Sequence, residues 1–194
     1  DPADMEQIRS FHDGFYDWRP NGTHHAQDLI ADKWMPVVAV ADGTIGYVNW
    51  TSWGEPNPDR CCSLTINHDD GWESWYIHLN NDTPGTDDGL GWGIAPGIRP
   101  GVRVKAGQLI GWNGDSGNCD TQDTDYYQCP AHIHYELRDP NNVIVNPWQA
   151  LQDAAVVALP TCDGLHATTG MTDTNGDLLV HGTDEDDVII GTEG

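Results

Sequence analysis

Three short segments hold side chains whose types and spacing could do chemistry: Thr23-His24-His25-Ala26-Gln27-Asp28, Tyr76-Ile77-His78-Leu79 and Ala131-His132-Ile133-His134-Tyr135-Glu136. Each supplies imidazole or carboxylate, the groups that hold a divalent metal and move protons. Read as a strand, the last segment alternates its side chains between two faces, so His132 and His134 project from one side and Ile133 from the other. The same alternation predicts Tyr76 and His78 on a shared face, with Leu79 and Ile133 packing opposite. A catalytic zinc site takes three protein ligands from His, Asp and Glu and keeps one position for water. One Asp and two His satisfy that requirement. A neighbouring His outside the ligand set can then take the water's proton and return it to a leaving amine. Spacing alone leaves open which member of the His132/His134 pair meets the metal.

A single histidine is more often an ordinary surface or core residue, and with 9 in the chain His12, His68, His166 and His181 are read that way. The three segments together are more specific than any one of them, and rigid strands must carry them. Residues 1–22 read as a lead-in with a short helix around 5–11. Residues 36–40 and 44–48 flank an Asp42-Gly43 turn and read as a hairpin; residues 63–68 and 73–79 flank Asp69-Asp70-Gly71 and read as a second. A Gly- and Pro-rich loop over 80–100 leads to short strands at 102–104 and 108–112. The last clear strand spans 131–137, and a short helix follows over 147–157, beginning near Asn146. With 22 glycines and 12 prolines among 194 residues, the fold class is mostly β.

The order His24-x-x-x-Asp28, Pro36-Val37-Val38-Ala39-Val40-Ala41-Asp42-Gly43-Thr44, Asp70-Gly71, Tyr76-x-His78-Leu79, Val104-Lys105-Ala106-Gly107-Gln108-Leu109-Ile110-Gly111 and His132-Ile133-His134-Tyr135-Glu136 resembles the lysostaphin/LytM-type zinc endopeptidases, which are peptidoglycan hydrolases. The resemblance covers residues 22–148. It implies a twisted antiparallel sheet, the duplicated hybrid motif, with an open groove over the metal. It also implies that His24, Asp28 and His134 ligate zinc, that His132 is the general base, and that His78 orients the water and stabilises the oxyanion. Two departures stand out. Ala26 occupies the place where the family has Gly, which matters if that backbone needs a positive φ, and residues 118–128 form an insertion before the His-x-His strand. His25 is expected to point away from the metal.

The formal net charge of −23, from 31 acidic and 8 basic residues, repels phosphate backbones and anionic membrane surfaces, which argues against nucleic acid as a partner. No apolar run approaches the roughly 20 residues that span a bilayer, so no membrane insertion is expected. The N-terminus, Asp1-Pro2-Ala3-Asp4, lacks signal-peptide features, as in a processed secreted chain. Five cysteines without C-x-x-C spacing favour disulfides and an extracellular setting; Cys119 with Cys129, and Cys162 with Cys61 or Cys62, are the expected pairs. The ending Gly182-Thr183-Asp184-Glu185-Asp186-Asp187-Val188-Ile189-Ile190-Gly191 resembles the start of the Gly- and Asp-rich calcium-binding repeats of RTX proteins. The organisation expected is a peptidase domain over 1–160 and an acidic segment over 161–194 that is either the beginning of RTX-like repeats, with calcium as the ligand the resemblance implies, or a disordered acidic tail.

The function expected is zinc-dependent hydrolysis of peptide bonds in peptidoglycan cross-links. Two rivals are a non-catalytic wall-binding or regulatory module of the same fold and a zinc protease of other extracellular Gly-rich proteins. Non-catalytic members lose metal ligands, whereas this chain keeps every matching position.

Overall fold

A strand forms where alternate side chains can be buried, and the clearest case is Glu73–Ile77, in which Ser74 and Tyr76 are buried between half-buried neighbours. The structure, a computed structural model, describes residues 12–19, 22–49, 62–117 and 130–154, and the backbone at 8–10, 161–162, 165–166, 171–172 and 178–179. In chain order the elements are β1 (Ile8–Ser10), β2 (Trp18–Arg19), β3 (Gly22–Thr23), β4 (Gln27–Ala31), β5 (Pro36–Val38), β6 (Gly43–Val48), β7 (Leu64–His68) and β8 (Glu73–Ile77). They continue with β9 (Arg103–Val104), β10 (Leu109–Trp112), β11 (His132–Arg138), β12 (Ile144–Val145), the helix α1 (Trp148–Asp153), β13 (Thr161–Cys162), β14 (Leu165–His166), β15 (Met171–Thr172) and β16 (Leu178–Leu179).

The main sheet is antiparallel and eight-stranded, in the order β1-β4-β11-β8-β7-β6-β9, with β12 also pairing β11. β11 lies inside it, with His134 opposite Asp28 of β4 on one side and Ile77 of β8 on the other. One face of the sheet packs into an apolar core: Ile133 and Tyr135 of β11 join Tyr76, Leu79, Ile66, Ile110 and Trp112. Tyr76 and Tyr135 meet edge to face, 5.4 Å between ring centroids. Tyr135 Oη also lies 2.8 Å from Ser74 Oγ, so its polar end is satisfied inside the core.

The second hairpin, the strand over His132–Arg138 and the short helix after Asn146 form as the sequence predicts. Asn146 Oδ1 accepts from Trp148 N, the first residue of α1, at 2.9 Å. The first hairpin does not form. β5 pairs with β10 and β6 pairs with β7 and β9, because residues 105–108 hold the chain between β5 and β6. Ala39 N donates to Gln108 O, Gly107 N donates to Ala39 O, and Asp42 accepts from Ala106 N and Lys105 Nζ. The helix expected around 5–11 is also corrected: Ile8–Ser10 is a strand, pairing with β4 and satisfying the outer edge of that strand.

The chain divides into two compact units, Asp1–Ala154 and Ala155–Gly194. In the second, β13 pairs with β14 and β15 with β16, both antiparallel. Cys62 is buried and disulfide-bonded. The insertion over 118–128, the Cys119–Cys129 pairing, the side chains of Cys61 and Cys162 and the repeat-like ending over 182–194 lie outside the described residues. Among the described residues no helix is long and apolar enough to cross a membrane.

Gly114 couples core to site. A Cβ there would stand 2.3 Å from Asn80 Cα and 2.6 Å from Asn80 N, while the Gly114 carbonyl accepts from His132 N at 2.9 Å. Gly114→Ala must push apart two backbones, and overpacking of this kind costs about 1 to 3 kcal/mol. A urea melt is expected to show a lower midpoint; an unchanged midpoint would contradict the close approach.

Candidate metal centre

β4 and β11 are in the register that sets Asp28 beside His134, and His24 reaches the same point from the turn before β4. His24 Nε2 lies 2.9 Å from Asp28 Oδ1 and 3.0 Å from His134 Nδ1, and His134 Nδ1 lies 3.2 Å from Asp28 Oδ1. All three side chains are mostly buried. These are hydrogen-bond distances, yet Asp28 Oδ1 has no hydrogen-bond partner. The outer nitrogens explain why. His24 Nδ1 donates to Gly14 O at 3.0 Å, and His134 Nε2 faces Glu136 Oε1 at 3.5 Å. With each neutral imidazole's proton directed outward, both inner nitrogens present lone pairs to a carboxylate oxygen.

With both imidazoles neutral, three lone pairs facing one another are repulsive and call for a cation, either a proton or a metal ion. Donor atoms about 2.0 to 2.2 Å from a tetrahedral zinc stand about 3.3 Å apart, so the observed triangle is close to the size of a zinc site. The residues present therefore fit that ion. The electrostatics agree. Burial alone would raise the Asp28 carboxyl, but His134 and His24 beside it hold it well below the usual carboxylate range. Burial pulls His134 down, but Asp28 and Glu136 outweigh that and raise it to about 8, so near pH 7 the ring takes up a proton in the place where a bound cation would meet its lone pair.

Two further imidazoles flank the triangle. The rings of His78 and His132 are 4.8 Å apart, and His132 Nε2 lies 3.7 Å from Asp28 Oδ1. His132 Nδ1 donates to Pro130 O at 2.7 Å and His78 Nδ1 to Ser116 O at 2.6 Å, which leaves each Nε2 with its lone pair. Burial, reinforced by the His132 and His134 rings, lowers His78 to about 4, so it is neutral near pH 7.

All five residues singled out in the sequence, His24, Asp28, His78, His132 and His134, meet in one place. The expected sharing of a face by Tyr76 and His78 is corrected. Tyr76 points into the core, where its Oη accepts from Val40 N, whereas His78 turns toward His132. The cause is the backbone: β8 ends at Ile77, and His78 adopts φ +66°, which breaks the alternation. His25, not Ala26, holds the positive φ in the first segment, at +56°, and its ring packs on Phe15 away from the triangle. Sequence reasoning missed Arg19, whose Nη2 donates to Asp28 Oδ2 at 2.9 Å, and the carbonyls of Gly14, Pro130 and Ser116. Arg19, one of few cations and five residues before His24, offered a signal; a carbonyl, present at every residue, offers none.

The sequence profile of Peptidase family M23 matches residues 22–147. The glycyl-glycine endopeptidase ALE-1 of Staphylococcus capitis is 28% identical over 137 residues, covering 69% of this chain and 30% of ALE-1. Lysostaphin of Staphylococcus simulans is 27% identical over 115 residues, covering 59% of this chain and 18% of lysostaphin. The chain thus spans under a third of the length of these relatives. The solved catalytic domain of the antimicrobial peptidase lysostaphin from Staphylococcus simulans matches with a TM-score of 0.51 at 22% identity, over 74% of this chain and 92% of that one, a likeness of fold.

A second acidic cluster, Asp82, Asp87 and Asp115, already holds the protein's own cation. Lys33 Nζ lies 2.8 Å from Asp82, 2.5 Å from Asp87 and 2.8 Å from Asp115. Burial lowers the Lys33 ammonium's affinity for its proton, but the three carboxylates outweigh it and raise the pKa above the ordinary lysine value. A raised folded pKa gives stability that is complete below the unfolded value of about 10.4 and lost as pH rises through the folded one. Wild-type stability from this cluster is therefore expected to be flat through neutral pH. Lys33→Met leaves buried Asp82 without its counter-charge, a change that typically costs about 3 to 5 kcal/mol. Denaturant melts at pH 7 check it, and a loss near zero would show that the cluster is merely a solvated face.

Proposed function

The chain belongs to peptidase family M23, and on that premise we propose that it is a zinc-dependent endopeptidase in which His24, Asp28 and His134 hold the ion and His132 and His78 manage the proton. The observation that supports this most is the convergence of three lone pairs around the orphaned Asp28 Oδ1. A zinc ion in such a site would supply Lewis acidity and lower the pKa of water to about 7. The protein's own residues do the rest. The bond from His132 Nδ1 to Pro130 O sets the tautomer in which Nε2 carries the lone pair, and Nε2 accepts the water's proton and later delivers it to the leaving amine. His78 Nε2, likewise unprotonated, orients the water by accepting a hydrogen bond, and stabilises an oxyanion only once it carries a proton.

The substrate class proposed is a peptide flanked by Gly or another small residue, as in cell-wall cross-links, because a small residue lets the scissile carbonyl approach a metal fixed to a sheet. The name of the relative ALE-1, a glycyl-glycine endopeptidase, supports this. The disulfide at Cys62 supports action outside the cell. Residues 1–160 are assigned to the peptidase domain.

Purified protein is expected to carry about one zinc per chain, the stoichiometry of a catalytic site. Asp28→Ala and His134→Ala should strip it. His132→Ala should keep the zinc and lose about 100- to 10,000-fold in turnover of a Gly-rich peptide. Metal analysis beside peptide assays decides: zinc retained by Asp28→Ala, or full turnover in His132→Ala, would refute the assignment. The net charge of −23 adds a second expectation. Cleavage of anionic intact walls should rise as salt screens the repulsion, while cleavage of a short neutral peptide should change much less. Equal responses across a salt series would remove electrostatics from the substrate argument.

A further inference from the structure

Residues 12–19 precede the span matched to the family, yet they contact the metal-centre residues at several points. His24 N donates to Asp17 O and His25 N to Phe15 O, both at 2.9 Å, and Gly14 O receives the His24 Nδ1 proton. The strap is locked in turn by Gln27, fully buried, whose Oε1 accepts from Gly14 N at 3.1 Å and whose Nε2 donates to Asp13 Oδ1 at 2.8 Å. Asn146 Nδ2, from beyond β12, grips the same Asp13 carboxylate. At the end of the strap, β2 pairs with β3, with Arg19 opposite Gly22. Alternation along β2 sends Trp18 out to solvent, 79% exposed, and Arg19 toward β4.

Arg19 Nη2 then donates to Asp28 Oδ2 at 2.9 Å, while Asp28 Oδ1 faces the two imidazoles. The carboxylate thus has one oxygen fixed by the strap and the other aimed into the triangle. We propose that this strap is part of the metal centre and that Arg19 is a positioning residue, holding Asp28 in the single-oxygen orientation that the ion requires. The inference rests on the metal-centre reading above. Two effects of Arg19 oppose each other. Its positive charge disfavours a nearby dication, and its hydrogen bond removes the rotation by which Asp28 would otherwise turn both oxygens away. The guanidinium is 47% exposed, so water weakens the first effect, whereas the bond to a mostly buried carboxylate persists.

The opposed signs make the test sharp. Zinc affinity of the full chain is measured by competition with a chromophoric chelator, and the visible absorption of cobalt-loaded protein reports ligand geometry. Arg19→Met is expected to bind zinc about 10- to 100-fold more weakly and to shift the cobalt spectrum, as loss of an outer hydrogen bond to a ligand does. Arg19→Lys, which keeps a donor on a stem of similar reach, should recover most of the affinity. Melting of the metal-free proteins should be alike. Unchanged or tighter zinc binding by Arg19→Met would overturn the proposal, since removing a charge alone strengthens binding of a dication. Should Arg19→Met fail to fold, Arg19→Gln, too short to reach Oδ2, is judged by the same criterion. Wild-type protein that binds no zinc would instead overturn the metal-centre reading and the proposal with it.

Discussion

Much of the structure follows from the need to hold three lone pairs in mutual repulsion. His24 Nε2, Asp28 Oδ1 and His134 Nδ1 lie within 3.2 Å of one another, so close that only a shared proton or a cation offsets the repulsion of their lone pairs. Such a cluster persists only if each group is prevented from rotating away. The carbonyl of Gly14, the carboxylate of Glu136 and the guanidinium of Arg19 hold the three from outside. The register of β4 against β11 does the rest. A slip of one residue would put Ile133 where His134 stands and turn Tyr135 out of the core, so the burial of Ile133 and Tyr135 enforces the metal geometry.

The two faces of β11 therefore divide the labour. On the core face, Tyr135 and Tyr76 pack edge to face, Tyr76 Oη receives Val40 N, and Ser74 Oγ links Tyr135 Oη to His68 Nε2. These polar ends are satisfied within the fold, so the strand cannot shift without breaking several bonds at once. On the other face, His132 takes its backbone bond from Gly114 O and its ring bond to Pro130 O. Ser116, two residues beyond Gly114, binds Cys62 N through Oγ and His78 through its carbonyl. The segment 114–116 thus sets the orientation of both non-triangle histidines from one piece of backbone.

The sequence made legible what period and type encode. The alternation His132-Ile133-His134-Tyr135 shows which side chains share a face, and Asp69-Asp70-Gly71 marks a turn because its neighbours alternate. It was not legible where the backbone departs from its period: His78, at φ +66°, has no glycine to announce the change, and so the predicted face was wrong. The first hairpin failed for a different reason. Asp42-Gly43 has turn chemistry, but the partner that binds Asp42 is Lys105-Ala106, over sixty residues away, and local composition does not reveal a long-range competitor. The strap over 12–19 lacks periodicity altogether; its contribution comes through carbonyls and one arginine, which leave almost no trace in residue types.

Charge acts on two scales in this protein, and they separate cleanly. At contact, Arg19, Lys33, Arg103, Lys105 and Arg138 are each paired with carboxylates, so their positive charge is absorbed locally. At distance, the unbalanced carboxylates of a chain with net charge −23 act together, over about 8 Å at physiological salt. On the proposed reading, a small divalent cation would gain from that field as it approaches the triangle. An anionic polymer of the proposed substrate class would meet repulsion until a neutral peptide portion reached the sheet. On that reading the field governs which partners arrive, whereas His24, Asp28 and His134 govern what is held once there. A mutation of the distant acidic surface should leave the second untouched, because the triangle is mostly buried and is held by Gly14 O, the Glu136 carboxylate and the Arg19 guanidinium.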